Sequence, residues 1–314
     1  MSQPKANNTT ALFTHPDCVN HAMPGHPERP ERLLSVMERL RSSGLLADMQ
    51  QNLAAEITDQ QIAQVHPSHY IEQIRLGEPA SGVVKVEQDT YMNQGSLRAA
   101  KLAAGAGVQA TQAVLNGDVS RAFCAIRPPG HHAEVAAAFG FCLFNNVAIA
   151  AETALQHPSV NRVAIVDFDV HHCNGTVDIF KDRDEVLVCS SFQADFYPFR
   201  YLDFNNHHII ATPLDSGTKS AEFRRRIEAE WLPALNRHKP DMIFISAGFD
   251  AHTEDPLGEI NLLEDDYIWI TELLMAVANE YAGGRVVSTL EGGYSLEALA
   301  RSVEAHVKVL LRGK

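Results

Sequence analysis

The sequence predicts a single-domain α/β fold around a parallel sheet, and three observations predict it. Stretches with helical periodicity alternate with short β-rich runs along the chain. No internal repeat or low-complexity linker divides the 314 residues. Four of the β-rich runs end in a polar cluster, as expected where ligands bind beyond the carboxyl ends of parallel strands.

Residues 1–10 read as a polar lead-in and residues 11–314 as the domain itself. Apolar residues recurring at three and four predict helices over 31–43, 94–116, 144–156, 219–238, 264–282 and 295–311. Ser295 is placed as the cap of the last of these, with Ala298 rather than an acid three positions on, so a full capping box is not expected. Strands are expected over 122–126, 162–166, 186–189, 242–246 and 286–290. The first runs into Arg-Pro-Pro-Gly-His-His (127–132) and the second into Asp-Phe-Asp-Val-His-His (167–172). The fourth runs into Ala-Gly-Phe-Asp (247–250) and the fifth into Glu-Gly-Gly-Tyr (291–294). Convergence of these four clusters on one sheet edge is the central expectation.

Composition excludes several classes. The chain is 45% hydrophobic and 21% charged, as ordinary globular proteins are. Its longest apolar stretches, 163–166 and 242–245, fall far short of the roughly 20 residues that cross a bilayer, so no membrane partner is expected. The N-terminus lacks the apolar region of a secretory signal, and a cytoplasmic location is the expectation. A net charge of −13 argues against a nucleic-acid partner, and the lone basic triplet Arg224, Arg225 and Arg226 reads as a solvated helix face. Cys18, Cys124, Cys142, Cys173 and Cys189 are scattered with no Cys-x-x-Cys pair, so neither a disulfide framework nor a thiolate metal site is indicated.

Asp167, Asp169 and His171 alternate at a spacing of two and project to the same side of an extended chain. Asp250, after another strand and beside small residues, supplies a third ligand. Three protein ligands with one position left open describe a catalytic zinc site. The competing reading makes Asp167 and Asp250 structural carboxylates that accept loop N–H groups. His131 and His132 follow a stiff Pro-Pro-Gly turn, with Asp167 and Asn174 available to orient them. A histidine partnered by a carboxylate is held cationic, whereas one partnered by an amide is freer to cycle its proton. Tyr294 follows two glycines that let the backbone bring a phenol into a cleft, where it would stabilise an oxyanion. The blander readings are a chance histidine pair and a packing tyrosine. Together the residues describe an acyl-transfer hydrolase.

Six segments, 25–32, 127–132, 140–146 (Gly-Phe-Cys-Leu-Phe-Asn-Asn), 167–176, 248–252 and 290–294, resemble the histone deacetylase family in its class II branch, in the expected order. The resemblance implies the arginase–deacetylase fold, a central eight-stranded parallel sheet with helices on both faces. It makes Asp169, His171 and Asp250 the zinc ligands, with Fe(II) as an alternative metal. It makes His132 the base that takes a proton from water and returns it to the leaving amine, His131 its electrostatic support, and Asp167 and Asn174 their partners. Tyr294 matches the oxyanion-stabilising tyrosine. Phe141 and Tyr197 match the two walls of an aromatic tunnel for acyl-lysine, Gly130 is expected to line it, and Arg32, with Arg29 as the competing match, sits beside an internal cavity through which acetate leaves.

The resemblance also implies structural potassium on main-chain oxygens of Asp167, Asp169, His171, Ser190 and Ser191, and a second potassium at Phe180, Arg183 and Val186. Cys173 stands where the family commonly has glycine, which predicts either a tightened loop or a redox-sensitive thiol near the metal. Tyr197 stands where phenylalanine is commoner, which makes the tunnel more polar. A dinuclear manganese ureohydrolase is disfavoured because the position two beyond His171 is Cys173, not aspartate. Leu257 replaces the acidic gatekeeper of polyamine-selective relatives, so acyl-lysine proteins or peptides are favoured over acetylated polyamines. A non-catalytic acyl-lysine binding module is the third reading, and a homo-oligomer is compatible with all of them.

Overall fold

The computed structural model describes residues 9–313. The first part of the chain forms β1 (Thr10–Thr14), α1 (Pro30–Ser42), β2 (Gln50–Leu53), α2 (Asp59–Ile62) and α3 (Ser68–Gly77). A small hairpin, β3 (Val83–Lys85) and β4 (Tyr91–Asn93), precedes α4 (Ser96–Leu115), β5 (Arg121–Cys124) and α5 (Asn146–Leu155). Then come β6 (Val163–Asp167), α6 (Asn174–Phe180), β7 (Val186–Gln193), β8 (Ile209–Leu214) and α7 (Ser220–His238). β9 (Met242–Ala247), α8 (Glu264–Tyr281), β10 (Val286–Leu290) and α9 (Leu296–Arg312) complete the fold.

Eight strands form one all-parallel sheet in the order β2-β1-β5-β10-β9-β6-β7-β8. Side chains of a strand alternate between faces, and both faces are apolar here. Ala164 and Val166 of β6 and Ile243 and Ile245 of β9 pack with Leu33, Trp231, Ile270 and Val303 from α1, α7, α8 and α9. Val163, Ile165, Met242 and Phe244 face the other way, onto Ala106, Val147 and Val177 from α4, α5 and α6. The central strands are therefore covered on both sides, the architecture expected of a single α/β domain.

The order of the strands positions the site. β5, β10, β9 and β6 are consecutive, and they are the four strands that end in polar clusters. Their register sets Cys124, Thr289, Ser246 and Asp167 level with one another, with Ser190 of β7 beside Asp167. The residues after this row leave the sheet together at its carboxyl edge.

The sequence reading stops short in places. It omits β1, β2, β3, β4 and β8 and the helices α2, α3 and α6, and it ends the third expected strand at 189, whereas β7 continues to Gln193. The helix expected from 144 begins at Asn146, because the Asn145 carboxamide caps it by accepting the Ala148 N–H at 3.0 Å. Ser295 occupies the cap position of α9, but its side chain makes no capping bond. Asp255 instead accepts the Tyr294 and Ser295 N–H groups at 2.6 and 3.1 Å. Of the expected lead-in, residues 1–8 lie outside the described residues, and Thr10 already belongs to β1. Arg224, Arg225 and Arg226 pair with Asp266, Glu222 and Glu230 respectively, as a charged helix face does. Among the described residues no helix is long and apolar enough to cross a membrane.

Two histidines are built into the core in neutral form. His66 Nδ1 donates to Val135 O at 3.0 Å, leaving Nε2 to accept the Asn145 N–H at 2.9 Å. His306 bridges Thr271 at 2.7 Å and Ser288 at 2.9 Å. Burial pushes them down from 6.5, to about 4 for His66 and about 3 for His306. The unfolded chain therefore takes up protons as pH falls below 6.5 while the folded chain does not until about 4 and 3. Stability is expected to fall across that window, by about 2 kcal/mol per histidine between pH 7 and pH 5. Urea unfolding at the two pH values checks this, and an unchanged midpoint would contradict it.

Candidate metal centre and active site

The four strand exits bring Asp169, His171 and Asp250 together, with their ligand atoms within 4.8 Å of one another. His171 Nδ1 lies 3.0 Å from Asp169 Oδ1 and 3.3 Å from Asp250 Oδ2. Donors that bind one ion at about 2.0–2.1 Å in tetrahedral array stand about 3.3 Å apart, close to these spacings. Asp169 Oδ2 accepts the Gly292 N–H at 2.9 Å, and Asp250 Oδ1 accepts that of Val170 at 2.8 Å. Asp250 Oδ2 is buried and has no hydrogen-bond partner. Burial and the neighbouring Asp169 raise Asp250 to about 7, against the opposing pull of His171. A side chain at Gly248 or Gly292 would collide with the two carboxylates, so the backbone closes around them. An orphaned carboxylate oxygen and an Asp–His–Asp donor set fit a divalent metal.

Beside this triad the tandem histidines receive different partners. His131 Nδ1 bonds Asp167 Oδ2 at 2.9 Å, and Asp167 Oδ1 is fixed by the Asp169 N–H at 3.0 Å. Burial works against a charged imidazole, but Asp167 and Asp169 outweigh it and push His131 up to about 10. His132 Nδ1 donates to Asn174 Oδ1 at 2.6 Å. The Asn174 amide is oriented by donating Nδ2 to Glu134 at 2.7 Å, which leaves the His132 Nε2 lone pair free. Burial, then the neighbouring His131 and His171, hold His132 well below 6.5. One histidine is cationic and its neighbour neutral, with ring centroids 4.0 Å apart.

Tyr294 borders the same pocket as His132 and His171. Burial, and Asp250 and Asp169 against the opposing Arg32, keep its phenol protonated. Beneath it lies Arg32, its guanidinium carbon 4.8 Å from the ring centre. Arg32 is buried and Arg29 is exposed, which separates the two competing matches. Arg32 donates to the Gly293 and Glu291 carbonyls and to Glu28 Oε1, the last at 2.9 Å. Glu28 also receives Arg127, through Nε at 2.6 Å and through Nη2, so one carboxylate serves two buried guanidiniums. Neither Glu28 nor Arg127 was singled out from the sequence. Glu291 was also missed. It is buried, accepts the Gly130 and His131 N–H groups at 2.7 and 3.2 Å, and so fixes the histidine turn. Burial raises it to about 7 against the pull of His131.

The pocket has a volume of about 390 Å³. Phe141, Tyr197 and Leu257 all line it. Tyr197 sets its ring edge-on to His132 at 5.4 Å and stacks on Phe139, while Phe196 stacks on His171 at 5.6 Å. Gly130 does not line the pocket, because it is packed against Asn146 behind the histidine turn. Gly140 takes that place, with φ +51° and no room for a Cβ against the His132 ring. Phe141 itself adopts φ +68°, a left-handed conformation that costs a bulky residue energy. Asp89 and Thr90 hold this turn by accepting the Gly140 and Phe141 N–H groups at 3.2 and 3.1 Å. Asp89 and Glu259 add acidic groups to the lining, and neither lies in a segment that had been read as functional.

Ser190 lies level with Asp167 at the end of β6, and Ser191 follows it in β7. Phe180, Arg183 and Val186 follow one another through a turn, with Arg183 N–H bonded to Phe180 O and Val186 N–H to Arg183 O at 3.0 Å each. Cys173 corrects an expectation. It is wholly buried at the start of α6, and burial pushes its thiol well above 9.0, which makes it inert rather than redox-sensitive.

Comparison with known proteins agrees with this geometry. Residues 26–310 match the Histone deacetylase domain. The chain is 37% identical over 281 residues to the histone deacetylase-like amidohydrolase of Pseudomonas aeruginosa, covering 87% of this chain and 74% of that protein. It is 36% identical to the polyamine deacetylase HDAC10 of Homo sapiens over 96% of this chain, but spans only 46% of that longer protein. The crystal structure of the HDA15 HD domain superposes with a TM-score of 0.92 at 34% identity, covering 97% of this chain and 88% of that one. The chain belongs to the histone deacetylase family, whose members are amide hydrolases.

Proposed function

We propose that this protein is a zinc-dependent deacetylase that acts on acetyl-lysine side chains of proteins or peptides. The observation that carries the reading is a neutral His132, its Nε2 lone pair free, bordering one pocket with His171 and the protonated Tyr294. Asp169, His171 and Asp250 would hold the zinc ion, or Fe(II) in its place, and the ion supplies Lewis acidity to the acyl carbonyl and to water. His132 takes the proton of the attacking water at Nε2 and delivers it to the leaving amine. His131, held cationic by Asp167, offsets the negative charge that develops beside it. Tyr294 donates its hydroxyl to the carbonyl oxygen as that oxygen becomes anionic. Phe141 and Tyr197 grip the methylenes of the side chain and exclude water from the reacting end. Arg32 lies beneath Tyr294, on the side where acetate departs. Potassium on main-chain oxygens near Asp167, Asp169, His171, Ser190 and Ser191, and again at Phe180, Arg183 and Val186, would complete the metal complement.

A second reading, hydrolysis of acetylated polyamines, is favoured by Asp89 and Glu259, whose carboxylates suit a distant ammonium. Apolar Leu257 in the lining weighs against it. Hydrolysis of an acetyl-lysine peptide and of N-acetylputrescine is to be compared in parallel, with zinc and after chelation. We expect peptide kcat/KM to exceed that for the polyamine at least tenfold, and both to vanish on chelation. The reverse order would make the polyamine the substrate, and activity on neither would leave a binding module.

A further inference from the structure

The sheet carries a second cluster of metal-binding side chains at its other end. Asp184 precedes β7 by two residues, and His207 and His208 lead directly into β8. Their positions are at the amino ends of the strands, whereas the active site lies beyond the carboxyl ends. Asp184 Oδ1 is 3.2 Å from His207 Nε2 and 3.3 Å from His208 Nδ1, and the three ligand atoms lie within 4.8 Å of one another. We propose that Asp184, His207 and His208 form a metal site for a divalent transition ion such as Zn²⁺.

The argument rests on His208. Its side chain is only 4% exposed, although Asp184 and His207 beside it are open to solvent. Its Nε2 lies 3.1 Å from the Lys181 carbonyl, which can only accept, so Nε2 carries the ring proton. Nδ1 is therefore the nitrogen left for a further ligand, and it is buried with no hydrogen-bond partner. It faces a carboxylate oxygen of Asp184. At 3.3 Å the two atoms are held together by a cation between them, a proton or a metal ion. His207 brings a second nitrogen to the same oxygen, and one proton cannot serve all three atoms. One ion at about 2.0–2.1 Å from each can, because the observed spacings match the roughly 3.3 Å edge of a tetrahedral site.

The donors also name the class of ion. Imidazole nitrogens with one carboxylate select zinc, nickel or copper over potassium, magnesium or calcium, which prefer oxygen. This separates the cluster from the nearby Phe180, Arg183 and Val186, whose relevance to potassium is through main-chain oxygens. The exposed side leaves room for water as the fourth ligand. An ion held here ties the turn before β7 to the start of β8, an edge strand of the sheet, and so clamps that border.

The test uses the full chain. Bound Zn²⁺ is measured by mass spectrometry after equilibrium dialysis, for the parent and for Asp184→Asn and His207→Ala. Both positions are exposed, so the variants should fold, and circular dichroism verifies that they do. We expect each variant to bind one Zn²⁺ fewer per chain than the parent, whatever the occupancy of the Asp169 centre, and added Zn²⁺ to raise Tm more in the parent than in either variant. Equal stoichiometry in all three proteins would overturn the site. A missing equivalent without a difference in Tm would keep the site and overturn the clamp.

Discussion

Replacing Tyr294 with phenylalanine is expected to lower kcat on an acetyl-lysine peptide by about 10²–10³-fold while KM changes no more than a few-fold. The substitution removes one hydroxyl and keeps the ring that meets Phe141 edge-on at 6.0 Å and covers Arg32 at 4.8 Å. Ground-state packing is therefore preserved. What is lost is a donor whose proton is secured by burial and by Asp250 and Asp169. Such a donor gains most when the carbonyl oxygen becomes an anion, so the loss falls on the transition state. Steady-state kinetics on the metal-loaded protein decide the matter. A raised KM at unchanged kcat would instead assign the phenol to substrate grip.

Exchanging Glu28 for glutamine is expected to cost about 3–5 kcal/mol of stability at pH 7, because it removes the anion from between two buried guanidiniums. Arg127 and Arg32 both reach this carboxylate, and all three residues are fully buried. Burial opposes the charge on Glu28, but Arg127 and Arg32 outweigh it and hold the carboxyl down to about 2 from 4.5. A depressed carboxyl contributes its full stability above the unfolded value of 4.5, and that contribution drains away as pH falls from there toward 2. The variant should therefore be less stable than the parent at pH 7 and approach it at acid pH. Urea unfolding at several pH values measures both features, and a loss below 1 kcal/mol at pH 7 would contradict the account. Since Arg32 also bonds the Glu291 and Gly293 carbonyls, the turn that presents Tyr294 should loosen with it.

How much was legible depended on what a residue shows locally. The five strands found in the sequence are apolar on both faces, and four of them end abruptly in polar clusters. β2 reads Gln-Gln-Asn-Leu and is largely exposed at an edge, while β8 carries Pro213 at the opposite edge. Neither offers a long apolar run, because an edge strand is covered less completely. The candidate ligands and the histidine partners could be named because they lie at strand exits, where backbone direction already limits what they can reach. Glu28 and Arg127 are 99 residues apart, and nothing in either neighbourhood says that their charges are paired and dry. Asp89 was invisible for a related reason, since its contribution is to a turn 51 residues away. Gly130 was placed in the tunnel by resemblance alone, and the close approach of Gly140 to the His132 ring appears only in three dimensions.

The strand order has a consequence for how the protein comes into being. β5 and β6 deliver the histidine pair and two of the three candidate ligands, yet they are not neighbours, because β10 and β9 stand between them. Those two strands are the last of the sheet to emerge during synthesis. A nascent chain that ends before residue 286 has its β5 edge and its β6–β9 edge still unjoined, and lacks the turn that carries Tyr294. Assembly of the centre thus coincides with closure of the sheet, a step dominated by contacts between distant parts of the chain and intrinsically slow. Catalytic competence arrives with the final strand rather than growing along with the polypeptide.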